Sequence, residues 1–196
     1  MKDMDSLLAQ VLAFRPNRLV PPFDLQGHIP FVAWLVKELQ PATFVQLGTQ
    51  SGNLYFAACQ TVAENSLPTR CWAVGTWQAE ELAQRHSVQQ EPGASDYNRQ
   101  HFGAFSGLLR MGDAQALPRF APGSIDLLLI DGRYSPETVR NEYESWRDRL
   151  SDHAVVLLVG IEQADSGAAV LWQQLQAQYT HLAFAHAQGL GVLAVG

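Results

Sequence analysis

Hydrophobic positions fall into short continuous runs, separated by stretches in which apolar residues recur every three or four positions. The runs are Thr43-Phe44-Val45-Gln46-Leu47 and residues 71–74, 108–111, 125–130 and 154–159. Runs this short and this apolar read as strands covered on both faces. Helical spacing predicts a helix through IPFVAWLVKEL from His28, with Pro30 in its first turn, where a missing N–H costs little. A second helix is predicted over 51–64, with Leu54, Ala57, Ala58 and Val62 on one face. Others are predicted over 79–90, within 93–107, over 136–150 (Val139, Tyr143, Trp146 and Leu150 along one face) and over 168–179. The last two runs, 181–185 and 190–195, are joined by a Gly-containing turn alone and should pair as an antiparallel hairpin. The alternation predicts an α/β, doubly wound, mostly parallel sheet of about seven strands that ends in that hairpin.

Ahead of this pattern, residues 7–14 read as a short helix, and RPNRLVPPFDLQG, punctuated by Pro16, Pro21 and Pro22, as an extended crossing. The chain therefore divides into a lead-in, 1–27, and a domain, 28–196.

Composition narrows the partners. Of the 196 residues 47% are hydrophobic and only 16% charged, which suits a buried parallel sheet or a surface kept for a partner. A net charge of −6 lacks the basic footprint of nucleic-acid binding and disfavours anionic membrane surfaces. The longest apolar runs, 31–36 and 154–159, are too short to span a bilayer. Asp3 and Asp5 stand where a signal peptide needs positive charge. Cys59 and Cys71, the only cysteines, have no metal or redox spacing and are expected as free thiols in a reducing compartment, the cytoplasm.

In open α/β sheets ligands sit beyond the carboxyl ends of the strands. The loop after the first strand, Gly48-Thr49-Gln50-Ser51-Gly52-Asn53, suits either close backbone approach to a ligand or an ordinary strand-to-helix turn. Asp131, before Gly132, ends the most apolar strand; a site role is favoured over a plain Asp-Gly turn. Trp77 either stacks on a purine or covers the sheet edge. His28 is read first as helix-entry packing and second as a cleft residue. The other histidines show no metal spacing, so no metal site is expected. The charged run from Arg140 to Asp148 reads as the solvated face of a helix.

Taken together and in order, FVQLGTQSG, CWAVGTWQ, GSIDLLLIDGRYSPETVRNEYESW, LSDHAVVLLVG and GLGVLAVG resemble a class I S-adenosylmethionine (SAM) methyltransferase family of bacterial surface-polysaccharide synthesis. The resemblance implies SAM as cofactor, with Gly48, Thr49, Ser51 and Gly52 along its methionine end. It also implies that the end of the second strand, at Gly75, meets the ribose and that Asp113 lies near the adenine, although Asp113 is read more readily as the N-cap of a helix beginning at Ala114.

The departures from that family lie around one cleft. Gln46 and Gly75 stand where the family tends to carry acids, and Leu129, Tyr134, Val159 and Gly160 where it tends to carry histidines or an acid. Glycine cannot accept hydrogen bonds from a ribose diol, and a charge-assisted bond contributes roughly 1.5–3 kcal/mol, so SAM affinity is expected to drop by about one to two orders of magnitude. Asp131 survives as the candidate base, helped by His28 or Tyr134. The expectation is a methyltransferase-like protein of glycan biosynthesis acting on a small molecule or sugar, with activity reduced or lost. The alternative is an inactive scaffold that binds a protein partner or its own copy.

Overall fold

The computed structural model describes residues 11, 13–76, 93–131 and 134–196, and the statements below refer to these. The helix expected over 79–90 and the residue Trp77 lie outside them. Seven strands form one sheet: β1 (Thr43–Leu47), β2 (Arg70–Val74), β3 (Ser106–Leu109), β4 (Ile125–Asp131), β5 (Leu150–Val159), β6 (Thr180–Phe184) and β7 (Leu190–Ala194). Their order is β3-β2-β1-β4-β5-β7-β6. The first five pair in parallel, and β7 runs antiparallel between β5 and β6, so the expected hairpin is present.

Six helices cover the sheet. One face carries α1 (Ile29–Leu39), α2 (Asn53–Glu64) and α3 (Ala94–His101); the other carries α4 (Asp113–Ala116), α5 (Pro136–Arg147) and α6 (Gly167–Leu175). Strand side chains alternate between the two layers as a pleat requires. Phe44, Leu127, Leu129 and Val159 face the first layer, and Val45, Leu128, Ile130 and Val156 the second. This parity decides the site. Gln46 follows Phe44 on the first face, and Asp131 continues the row of Leu127 and Leu129.

Several expected boundaries move. α2 begins at Asn53, not residue 51, because Gly48, Gln50 and Gly52 hold left-handed backbone (φ 71°, 41° and 74°) that a right-handed helix cannot contain. α5 stops at Arg147, so Leu150 is not on its apolar face but opens β5 beside Ile125. β3 begins two residues before the expected run. α4 begins at Asp113 with Gly112 at its cap, which moves Asp113 into the first turn.

Candidate functional site

The loop between β1 and α2 lies at the carboxyl edge of the sheet, where β4 ends beside it. Gly48 fits there because it has no side chain: a Cβ would stand 3.0 Å from the Cβ of Asp131 and 3.4 Å from the ring of Tyr134. Gly48, Asp131 and Tyr134 therefore converge, Asp131 nearly fully buried (2% exposed) and Tyr134 half in solvent. Thr49 donates from Oγ1 to the carbonyl of Val74 (3.3 Å), tying the loop to the end of β2. Gly75 adjoins it: a Cβ there would meet only Thr49 N and Oγ1, at 3.8 and 3.9 Å.

The extended lead-in crosses over this loop as a strap and is held from two sides. The Asn53 amide accepts from Val20 N (3.0 Å) and donates to the carbonyls of Val20 (2.7 Å) and Pro22 (3.3 Å). About two turns further along α2, Gln60 accepts from Asn17 N (2.8 Å) and donates to the Arg15 carbonyl (2.9 Å). Arg18 donates to the Ser51 carbonyl (2.6 Å), with its guanidinium 5.0 Å from the Phe56 ring centre and 5.5 Å from that of Tyr97. At the far end, Gln188 in the β6–β7 turn donates to Asp24 (2.9 Å). Asp24 and Leu25 thus form a wall of the cleft, opposite Gln46, Gly48, Thr49, Ser51 and Asp131. Between them remains a cavity of about 10 Å³, the room of about one water molecule.

His28 is not brought into the cleft lining. It is fully buried, with Nε2 bonded to the Ala187 carbonyl (3.0 Å) and its ring 4.7 Å from that of His186. Burial pushes its pKa down to about 4, against the Ala187 bond and with some help from His186, so the imidazole is neutral near pH 7. Asp113 also lies outside the cleft lining, paired with Glu142 of α5. Burial raises both carboxyls, Glu142 to about 8, with repulsion from Asp113 and then Asp131 adding to the burial effect there.

A family model described as "Methyltransferase domain" matches residues 45–158, which run from within β1 to within β5. The chain belongs to the methyltransferase-domain family. The protein y4gI of Sinorhizobium fredii is 37% identical over 191 residues, 96% of this chain but 21% of that protein, so the chain spans about a fifth of the curated relative it matches. A methyltransferase from Geobacter sulfurreducens shares the fold at TM-score 0.64 and 15% identity, over 99% of this chain and 91% of that one. Podospora anserina PaMTH1, a methyltransferase solved with S-adenosylhomocysteine (SAH), does so at TM-score 0.64 and 13% identity, over 97% and 87%.

In this methyltransferase domain the residues at the cleft fit a SAM-like ligand on one point of chemistry. Gln46 Oε1 is buried and has no hydrogen-bond partner among the described residues, so it retains the capacity to accept a bond from a ligand N–H or O–H. The sequence pointed to Gly48, Thr49, Ser51 and Asp131 of the lining residues, and to Gln46. It missed Asp24, Asn53 and Arg18. The signal available for Asn53 was its place directly after Gly52, at the mouth of α2. Among the described residues no cluster of His, Cys, Asp or Glu is arranged to hold a metal, and no helix is long and apolar enough to cross a membrane.

Proposed function

We propose that this domain binds SAM over the β1–α2 loop and methylates a hydroxyl of a small molecule or sugar, of the kind used in glycan assembly, with Asp131 as general base and at a rate below that of relatives with a full set of acids. The observation that carries this reading is the convergence of Gly48, Asp131 and Tyr134 on one cleft beside the unpartnered Gln46 Oε1. Bound there, SAM supplies an electrophilic methyl group on a sulfonium centre. Gly48 lets the backbone come close to the ligand, and the left-handed turns at Gln50 and Gly52 start α2 beside the cleft. Asp131, facing the same side of the sheet as Gln46, accepts the acceptor's hydroxyl proton. Tyr134, half exposed beside Gly48, would contact the acceptor. His28 has no part in proton transfer, since its bonded nitrogen and its burial both face the β6–β7 turn.

A second reading, an inactive scaffold, is favoured by the narrowness of the cleft and by Gly75, which offers the ribose no acceptor. One experiment separates the two. SAM and SAH are titrated calorimetrically, and SAH release is followed against a panel of sugar and nucleotide-sugar acceptors. Binding with turnover that Asp131→Ala abolishes, by about 10²-fold or more, supports the enzyme. Wild-type protein that binds neither ligand leaves the scaffold.

A further inference from the structure

We propose that the free edge of β6 is the contact surface for a second copy of this chain, the two copies joining their sheets by antiparallel pairing of β6 about a two-fold axis centred on Leu182. The inference is independent of the SAM reading. β6 ends the sheet, with β7 on one side and no strand among the described residues on the other. Thr180, His181, Leu182 and Ala183 are all exposed, Leu182 at 50%. The opposite edge of the sheet is covered: in β3, Ser106 and Leu109 are buried and Gly107 and Leu108 half-buried. An uncovered edge offers a row of main-chain donors and acceptors to another strand, and monomers guard such edges with Lys, Pro or a bulge. β6 contains neither Lys nor Pro, and it pairs with β7 residue for residue, from Thr180 beside Ala194 to Phe184 beside Leu190.

Charge and register select the occupant. No Asp, Glu, Lys or Arg occurs after Asp165, so α6, β6 and β7 are built without any of the groups that give the chain its net charge of −6. A nucleic acid or an anionic membrane finds no Lys or Arg on these elements, and a charged protein segment finds no counter-charge. A second copy brings the same uncharged edge, so two molecules of like net charge meet there without setting like charges face to face. The strand also suits its own copy. Leu182 is the middle of its five residues, so antiparallel pairing centred there sets Leu182 against its counterpart, Thr180 against Phe184 and His181 against Ala183. Each pair then shares one face of the joined sheet, in a contact that is identical from both sides. On the face that carries α1, Leu182 lies beside Val192 and in the row of Phe184, whose ring is 4.6 Å from that of Phe31. Phe31, Leu35 and Val192 are only partly buried, so pairing would continue a partly uncovered apolar strip across the two-fold axis.

Sedimentation equilibrium over a range of protein concentrations should show wild type exchanging between monomer and dimer. Leu182→Lys sets two ammonium groups opposite each other at the axis, because the substitution occurs once in each copy, and should raise the dimer dissociation constant by about tenfold or more. Gln100→Lys, which adds the same charge on an exposed position of α3 beside the opposite edge of the sheet, should leave that constant unchanged. Leu182→Cys reads the register itself. With oxidised glutathione it should link two chains through a disulfide, whereas wild type, whose Cys59 and Cys71 are buried, should not. Circular dichroism checks that each variant is folded. A wild type that stays monomeric at every concentration overturns the proposal, the edge then being left for a different chain. A dimer with the same dissociation constant in Leu182→Lys, or one that Leu182→Cys does not link, overturns it as well, because the contact would lie elsewhere on the surface.

Discussion

At Gly75 the main chain is close enough to Thr49 for a side chain to be useful and far enough for one to fit. The backbone there is not left-handed, and the contacts of an added Cβ are ordinary van der Waals ones. Gly75→Asp should therefore fold normally and tighten SAM binding about tenfold, by restoring an acceptor for the ribose diol. Calorimetry decides this: an unchanged affinity would mean that the strap, not the ribose contact, limits binding. Gly48 is the opposite case, since its φ of 71° and the nearness of Asp131 exclude a side chain. These two glycines, Gln46 and Asp131 were legible in the sequence because each sits a fixed step from the end of an apolar strand. Asp24, Arg18 and Asn53 were not. Their meaning lies in contacts spanning 31 to 164 residues, and no local pattern encodes such a pairing.

The strands and helices that were read well are those with unbroken apolar periodicity, β4 above all, buried at every one of its seven positions. β3 was read two residues late because Ser106 and Gly107 disguise its start. The Ser106 hydroxyl is neutralised by bonds with Tyr55 (2.6 Å) and Asn98 (2.5 Å), and Gly107 leaves space for Trp72, whose ring would lie 2.4 Å from a Cβ there. Both reasons are tertiary. α2 does two jobs at once: its inner face packs on the sheet, while Asn53 and Gln60 hold the strap. Asn53→Ala strips the partners from Val20 N, Val20 O and Pro22 O. It should cost about 1–3 kcal/mol in denaturant titration and speed tryptic cleavage at Arg15 and Arg18. Unchanged stability together with unchanged cleavage would show that the strap is held by its other contacts alone.

Across the whole molecule, the seam where α1, the strap and the β6–β7 turn meet makes stability depend on acid. The folded-state pKa of His28, about 4, lies below the unfolded value of 6.5, so the unfolded chain takes up this proton first. Its contribution to stability is fully present above pH 6.5 and is lost as pH falls from there towards 4. Among the described residues, those recorded against it are Ala187, His186 and Phe184, and none offers a negative charge to hold an imidazolium. Thermal melts from pH 7.5 to 4 should show a decline that is shallower in His28→Phe; parallel curves for the two proteins would refute the assignment.

The same seam bears on how the chain comes together. His28 meets Ala187 across 159 residues and Asp24 meets Gln188 across 164, so the beginning of the chain waits on its final hairpin. During synthesis β1 to β5 can assemble while the lead-in is without its contacts to the β6–β7 turn, since domains acquire structure as their parts emerge and distant loops close late. The Asp24 wall of the cleft then gains its Gln188 contact only after that hairpin has emerged. Until β7 has paired with β5, the strap is held at Asp24 from its Asn53 side alone.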